Sequence, residues 1–308
     1  MRAAKLTTVT LLTFSAAMSV CGCEEPRRPK PPRPTTKPEA AGPAWTAAQV
    51  AVIEGMDVPE SVVVDPTTGV IYVSNVEAGE GQYWADDGKG FIGRILPGGK
   101  LDQLRWKSGA ETFRLNAPKG MCVYAGTLYV ADNSRVCRLA LDPAGAEGPV
   151  KGLQGERLND VATDGAAVYV SDTGAGKIYK IDGRAISELK APDGVNGITF
   201  HGDKMYAVSW ALHDVFEIDP AGKADPKGFG LAKHFKALDG IEVLDDGTFI
   251  VSDFDGNKVC TISADRKTVH TLCTPKTPAD IGLARRSGMM YVPQFMHKSV
   301  VVYKLEKK

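Results

Sequence analysis

LNDVATDGAAVYVSD, residues Leu158–Asp172, is one copy of a unit that recurs about every 40 residues along the chain. The unit contains an apolar strand, a Gly-containing turn and a second strand that ends in Tyr-Val or a close variant. The other copies are PESVVVDPTTGVIYVSN from Pro59, PKGMCVYAGTLYVADN from Pro118, VNGITFHGDKMYAVSW from Val195, LDGIEVLDDGTFIVSD from Leu238 and ADIGLARRSGMMYVPQ from Ala279. Short strands repeated at this period are typical of a β-propeller, and six copies predict six blades.

The remaining segments complete these blades. Each copy continues into outer strands, such as KIYKIDG at Lys177–Gly183 and KVCTISAD at Lys258–Asp265. The last copy runs out after VVVYKLEKK and lacks a fourth strand, whereas WTAAQVAVIEG at Trp45–Gly55 is one strand too many. We therefore predict an all-β, six-bladed β-propeller over residues 45–308, in which the N-terminal strand completes the last blade and removes the exposed edge.

The first 44 residues have a different character. Arg2 and Lys5 precede an apolar run that ends at Val20, which is the pattern of a secretory signal. The following Cys-Gly-Cys resembles the lipobox of bacterial lipoproteins, with Cys23 as the lipidated residue. We expect a signal peptide over residues 1–22, a Pro-rich tether over 23–44, and an exported protein held in the cell envelope by its lipid anchor, on the periplasmic or extracellular side.

The overall charge constrains the partner. The chain has 37 basic and 37 acidic residues, so it lacks the positive footprint of a protein that binds nucleic acid or an anionic membrane surface. We expect a monomer that acts on a small or neutral partner and touches the membrane through its anchor alone.

Four cysteines fall within the predicted propeller, and export makes disulfides chemically possible. Cys260 and Cys273 lie on adjacent outer strands of blade five, close enough in register that a disulfide and two free thiols both remain open. Cys122 and Cys137 lie on strands separated by another strand, so we expect buried thiols there.

An insertion in blade one and several loop residues are predicted to surround one end of the propeller axis. The insertion, Asn75–Gly93, falls between the second and third strands and would overhang the face where the first strands begin. The equivalent loops of blades four to six carry Trp210, His213, Phe254, Gln294, Phe295 and His297. These side chains either form the walls of a pocket at this mouth or anchor each loop on its own blade.

Polar residues stand just before the first strand of every blade, and these first strands line the axis. The positions are Glu60, Lys119, Asn159, Asn196, Asp239 and Asp280. A preference for turns explains each Asn-Gly or Asp-Gly pair taken singly. It does not explain why a Glu, two Asn and an Asp from four blades converge on one point. Carboxylate and amide oxygens suit Ca²⁺ or Mg²⁺. Lys119 could instead offset the acidic ring itself.

Asp132, Asp172 and Asp253 follow the second strand in three blades, each with a basic residue a few positions later. Features that repeats share are usually structural, so we predict that these carboxylates brace turns and loops rather than act on a ligand.

Four stretches resemble the signatures of the SMP-30/gluconolactonase family of six-bladed propellers, which is related to luciferin-regenerating-enzyme-like, NHL-like and paraoxonase-like propellers. They are PES around Glu60, RLND from Arg157, VNGI around Asn196 and LDGI around Asp239. The resemblance implies that Glu60, Asn196 and Asp239 bind a divalent metal with Asn159 close by, and that Arg157 and Asn159 face the substrate. Paraoxonases and strictosidine-synthase-like propellers have similar turns, so the resemblance supports the fold more strongly than the branch.

The expected function is that of a lactone or ester hydrolase that depends on a divalent metal, Ca²⁺ first and Mg²⁺, Mn²⁺ or Zn²⁺ as alternatives. Asp239 and Arg157 are the predicted catalytic residues. Lys119 and Trp210 join the predicted substrate contacts. The alternative is a propeller without catalytic activity that binds a protein, a glycan or a small ligand. Lys119 and Asp280 depart from the family pattern, and two interpretations remain open: Lys119 replaces the metal, or Asp280 balances Lys119 and the metal remains.

Overall fold

The computed structural model describes residues 42–110, 113–142 and 144–308, and these residues form six antiparallel sheets of four strands. The six-bladed propeller is thereby confirmed. The predicted signal peptide, Cys23 and most of the tether lie outside the described residues. No helix in the described part of the chain is long and apolar enough to cross a membrane.

The strands of each blade follow one another outward from the axis, except in blade six. Blade one contains Pro59–Val64, Ile71–Asn75, Phe91–Ile95 and Leu101–Lys107, and blade two contains Pro118–Tyr124, Thr127–Asp132, Arg135–Ala140 and Gly148–Pro149. Blade three contains Leu158–Thr163, Val168–Asp172, Lys177–Asp182 and Ala185–Lys190, and blade four contains Val195–His201, Lys204–Ser209, Val215–Ile218 and Lys227–Gly228. Blade five contains Leu238–Val243, Phe249–Asp253, Lys258–Ile262 and Val269–Cys273, and blade six contains Gly282–Ala284, Met289–Gln294, Ser299–Lys307 and Trp45–Glu54. A small hairpin (Gly109–Ala110 and Phe113–Arg114) and two 3-10 turns (Ala232–His234 and Phe295–His297) complete the described elements.

The N-terminal strand closes the ring, as predicted. Trp45–Glu54 pairs antiparallel with Ser299–Lys307, so that Ile53 lies opposite Val300. Because Trp45–Glu54 is the outermost strand of the last blade, the two ends of the propeller domain hold each other in place.

Apolar side chains fill the space between neighbouring blades. Between blades one and two, Ile92 packs with Leu128, Val130 and Cys137, all of which are fully buried. Burying each such side chain stabilises the fold by about 1.5–3 kcal/mol. The blades are therefore held rigidly, and their inner strands can fix the positions of polar groups on the axis.

The carboxylates at the ends of the second strands brace loops, as predicted. Asp132 Oδ1 accepts hydrogen bonds from the backbone N–H groups of Asn116 and Ala117, at 2.8 and 2.9 Å. Asp172 and Asp253 are equally buried and accept the backbone N–H groups that precede their own first strands. These three residues belong to the frame of the propeller and not to a site.

The four cysteines of the described residues are free thiols. Cys273 lies opposite Val259, whereas Cys260 lies opposite Thr271, because the register shifts between the two pairs. The shift places the two thiols in different clusters, Cys260 among the apolar residues between blades four and five and Cys273 against those between blades five and six. Cys122 and Cys137 are buried thiols, as expected.

Candidate functional site

A β-bulge at the same place in five blades creates the polar ring. In blade three, Leu158 pairs with Asp172 and Val161 pairs with Val170, so that Asn159 and Asp160 together oppose a single residue. Blades one, two, four and five have the same shift after their first paired residue. Bulges re-aim side chains and occur often beside active sites. Here they turn two consecutive residues per blade towards the axis.

The two bulge residues form two successive levels along the axis. The first level contains Glu60, Lys119, Asn159, Asn196, Asp239 and, in blade six, Ala279. The second level contains Ser61, Gly120, Asp160, Gly197, Gly240 and Asp280. Placing Asp280 in register with Glu60 was therefore wrong. Asp280 forms a parallel bridge with Ser61, because the repeat of blade six begins at Pro278, one residue earlier than the sequence pattern indicates.

Three oxygens of the first level lack donors. Glu60 Oε2, Asn196 Oδ1 and Asp239 Oδ1 are buried and accept no hydrogen bond from the residues that the structure describes. The three side chains are only 3–5% exposed. Leaving one buried acceptor unpaired costs about 1–3 kcal/mol, and more for a charged group. Three such atoms in equivalent positions of three blades make the first level a candidate site for a ligand that pairs with oxygens.

The electrostatics of the ring point the same way. Burial raises the pKa of Glu60 well above its usual range, against the lowering effect of Lys119. Burial likewise raises the pKa of Asp239 to about 7, with Lys119 again opposing and Asp160 adding to the shift. Lys119 therefore offsets the effect of burial on these carboxylates only in part, and a bound cation would favour their ionised forms.

Lys119 is held by the insertion and not by the carboxylates. Its Nζ donates a hydrogen bond to the carbonyl oxygen of Tyr83 at 3.0 Å and lies 4.3 Å from the centre of the Trp84 ring. Within the described ranges its ammonium forms no ion pair with a carboxylate. Burial lowers the pKa of Lys119, while Glu60 and Asp239 act to raise it. Lys119 is therefore close enough to influence the ring without bridging its acidic members.

The insertion covers the mouth of the axis, as its position predicts. Tyr83 packs edge-on against Phe295 of blade six, with ring centres 4.9 Å apart. At its other end, Asp86 Oδ1 accepts hydrogen bonds from the side chains of Asn116 and Asn133, at 2.8 and 2.7 Å. Because blade two holds one end and blade six the other, the insertion forms a strap over the first level of the ring.

The remaining predicted substrate contacts lie at the rim. The guanidinium carbon of Arg157 is 5.9 Å from the centre of the Trp84 ring, and the side chain is exposed. Trp210 is 5.3 Å from Phe254, and Phe254 is 5.6 Å from Phe295, measured between ring centres. Arg157 thus reaches the strap that also contacts Lys119. Trp210 belongs to a row of aromatic rings that pack in tilted and edge-on contacts, which anchors its loop.

Most polar groups of the second level are paired within the protein. Asp160 accepts the N–H groups of Ile198 and Val161, both at 2.7 Å. The Ser61 hydroxyl donates to Asp280 Oδ2 at 2.6 Å. The glycines leave room for these carboxylates, since a Cβ on Gly240 would lie 2.7 Å from Asp280 Oδ1. This level packs the first strands together around the axis.

A cavity of about 720 Å³ lies beyond the second level, on the opposite side of the ring from the strap. Its lining begins at Asp160 and Asp280. It continues along the C-terminal halves of the first strands to Arg285 and Arg286. At the mouth, three of the expected wall residues, Trp210, Phe254 and Phe295, pack on one another.

The ligand set at the first level depends on amides as well as carboxylates. In residues 42–110, 113–142 and 144–308, no group of three or more His, Cys, Asp or Glu side chains is arranged to hold a metal ion. The first level instead combines two carboxylates, Glu60 and Asp239, with two amide side chains, Asn196 and Asn159. Such a mixed set suits hard cations such as Ca²⁺.

Comparisons with known proteins establish the fold. No family model and no curated protein matches the sequence. Among solved structures, a candidate gluconolactonase matches with a TM-score of 0.63 at 16% identity, over 86% of this chain and 93% of that chain. A luciferin-regenerating enzyme matches with a TM-score of 0.59 at 14% identity, over 83% and 94% of the two chains. Virginiamycin B lyase from Staphylococcus aureus matches with a TM-score of 0.58 at 12% identity, over 84% and 99%. The chain shares the propeller fold of these proteins.

Sequence reasoning missed the two aromatic residues of the strap that contact Lys119 and Arg157. Tyr83 and Trp84 stand together in a loop otherwise rich in Gly, Glu and Asp. Adjacent large aromatic side chains in a polar insertion need a surface to cover, which is the signal that could have identified them.

Proposed function

We propose that the chain is a lactone or ester hydrolase whose axial ring binds one divalent cation, with Ca²⁺ as the preferred ion. The observation that carries this proposal is the set of three buried, unpaired oxygens on Glu60, Asn196 and Asp239. The likeness to a candidate gluconolactonase supports a lactonase-type propeller. Glu60, Asn196 and Asp239 would hold the ion, with Asn159 as a further ligand. When bound, the ion would polarise the ester carbonyl and stabilise the negative charge that develops on its oxygen.

The surrounding residues of the chain would position the substrate. Arg157 and Asn159 come from the same turn of blade three, so they can orient neighbouring oxygens of a lactone. Asp239 would accept the proton of the attacking water, since it combines a free oxygen with a position on the axis. The strap would exclude bulk water, which strengthens the electrostatic interactions within the site.

A panel of sugar lactones, aliphatic lactones and simple esters tests this activity, with Ca²⁺, Mg²⁺, Mn²⁺ and Zn²⁺ added separately. We expect turnover that EDTA removes and Ca²⁺ restores. Calorimetry on the wild type and Asp239→Ala should show about one ion per chain for the wild type and none for the variant. Equal, weak binding by both proteins would exclude the ion site.

The covered mouth favours one alternative, a propeller that binds a ligand without chemistry. The first-level side chains are at most 7% exposed, so a substrate reaches them only if the strap moves. Under this alternative the ion is structural. Wild-type protein would then bind Ca²⁺ and gain stability, but it would not exceed the uncatalysed rate on any member of the panel.

We also propose that the protein is an envelope lipoprotein, based on the sequence around Cys23. Mass spectrometry of the mature protein should find an acylated Cys23 as the first residue, and fractionation should recover the protein with membranes. A mature N-terminus at any other residue would exclude the anchor.

A further inference from the structure

The cavity on the far side of the ring has the composition of a ligand site. Its walls are mostly apolar and come from the first strands of several blades, including Val62, Val161, Ile198 and Ile241. Its volume of about 720 Å³ is within the range of small-molecule sites. Apolar walls with a few converging polar groups are what such sites usually show.

Most of the charged groups in the lining already have partners. Glu242 forms an ion pair with Arg285 at 2.7 Å. Asp65 accepts hydrogen bonds from Thr67 N and the Thr68 hydroxyl in its own turn. These carboxylates are structural and do not call for a ligand.

The two carboxylates at the inner end of the cavity differ from each other. Both oxygens of Asp160 accept backbone N–H groups. Asp280 has one oxygen, Oδ2, bonded to the Ser61 hydroxyl, whereas Oδ1 accepts no hydrogen bond from the described part of the chain. Asp280 is only 8% exposed, and it lines the cavity. A carboxylate oxygen that faces an apolar cavity and has no donor from the described residues is a suitable acceptor for a cationic ligand in that cavity.

We propose that this cavity is a second ligand site, separate from the ion site, and that it binds an organic ammonium ion. The ammonium group donates to Asp280 Oδ1 beside Asp160, and the alkyl part of the ligand contacts Val62, Ile198 and Ile241. An inorganic cation gains nothing from these apolar walls, and a carboxylate would be repelled by the two aspartates. The walls and the charge together therefore select an amphipathic cation.

Calorimetry with n-butylammonium chloride on the full chain tests the site, with sodium butyrate and sodium chloride as matched ligands. We expect saturable binding of butylammonium, about one per chain, and none of the other two. The titration is repeated in EDTA and in saturating Ca²⁺. Equal affinity in both conditions supports a separate site and does not depend on the proposed hydrolase activity. Competition with Ca²⁺ would place the ammonium at the first level of the ring and overturn the proposal.

Two variants locate the ligand. Asp280→Asn retains an acceptor for the Ser61 hydroxyl but removes the charge. It should lower the affinity for butylammonium at least tenfold. Ala162→Phe adds bulk to a partly buried wall residue of the cavity and should weaken binding without changing any charge. The control is Asp225→Asn, which changes a side chain that is 83% exposed and should leave the affinity unchanged. The proposal would be overturned if both cavity variants bound butylammonium with the wild-type affinity. It would also be overturned if sodium chloride bound as tightly as butylammonium chloride.

Discussion

The two levels of the axial ring use the same backbone feature in opposite ways. At the first level the bulge presents Glu60, Asn196 and Asp239, each with a buried oxygen that accepts no hydrogen bond from a described residue. At the second level it presents Asp160 and Asp280, which are held by backbone N–H groups or by Ser61. The residues of the two levels are neighbours in the chain, yet only the first level lacks donors for several of its oxygens.

This contrast separates a functional role from a structural one within a single dipeptide. The bulge repeats in five blades because it lets the first strands meet around the axis. Once the backbone is fixed in this way, the second residue of each bulge must fit its neighbours. The first residue is free to vary, and its variation among the blades carries the chemistry.

The largest effect is expected from crowding the second level. In Gly240→Ala the new Cβ would lie 2.7 Å from both Asp280 Oδ1 and the Ile281 nitrogen, and the Ile281 nitrogen is part of a backbone that cannot retreat within the packed ring. We expect the free energy of unfolding to fall by roughly 3 kcal/mol or more, measured by denaturant titration. Gly79→Ala in the strap is the control, because its Cβ would meet nothing closer than 3.8 Å. A Gly240→Ala protein as stable as the wild type would contradict the structural assignment of this level.

The next effect sharpens the role of the first level. Glu60→Gln preserves shape and removes one buried charge, so its stability in EDTA should equal or exceed that of the wild type. With Ca²⁺ at about a hundred times the wild-type dissociation constant, the wild type should gain about 2.7 kcal/mol and the variant at least about 1.4 kcal/mol less.

Thermal and denaturant unfolding with EDTA and with Ca²⁺ measure this gain. Asp225→Asn serves as the control for charge, because its side chain is exposed. A variant that is clearly less stable than the wild type in EDTA would show that Glu60 is a structural residue.

Arg157→Ala should affect turnover alone. The side chain is exposed and contacts the strap at Trp84, so its loss should leave the unfolding temperature and Ca²⁺ binding nearly unchanged. If Arg157 stabilises the transition state, kcat/KM should fall about a hundredfold. Arg184→Ala changes an exposed arginine at an outer turn of the same blade and is the matched control. Equal rates for both variants would remove Arg157 from the site.

The closure by Trp45–Glu54 was predictable, because the last copy lacks a strand and the N-terminal segment is one strand too many. The number of blades was predictable, because the order of apolar and turn residues repeats six times. The polar ring was predictable in five blades for the same reason. Blade six was not, since the repeat ADIG begins with Ala279 and hides a shift of one residue that only the pairing of Pro278 with Gln294 reveals.

The covering of the site was predictable only in part. The length of the insertion indicates an overhang, but the contact of Lys119 with Tyr83 and Trp84 depends on how the strap bends between blades two and six. Long-range contacts of a loop leave no periodic signal in a sequence. The far cavity was not predictable either, because its size depends on the distance between blades and not on any one sequence motif.

The smallest effect tests whether the two levels are independent. Ser171 is fully buried, and its hydroxyl accepts the Asp160 N–H at 2.9 Å. Ser74 and Ser252 do the same for the second bulge residues of blades one and five. Ser171→Ala leaves that N–H without its acceptor, which should lower the free energy of unfolding by about 1–2 kcal/mol.

Ser187→Ala on the exposed outer strand of the same blade is the control for Ser171→Ala and should change stability by less than about 0.5 kcal/mol. Ca²⁺ affinity, measured by calorimetry, should be unchanged in Ser171→Ala, because the lost hydrogen bond belongs to the second level. If Ser171→Ala lowered the affinity for Ca²⁺ as strongly as Glu60→Gln, the two levels would act as one network. The division between a structural and an ion-binding position in each bulge would then be wrong.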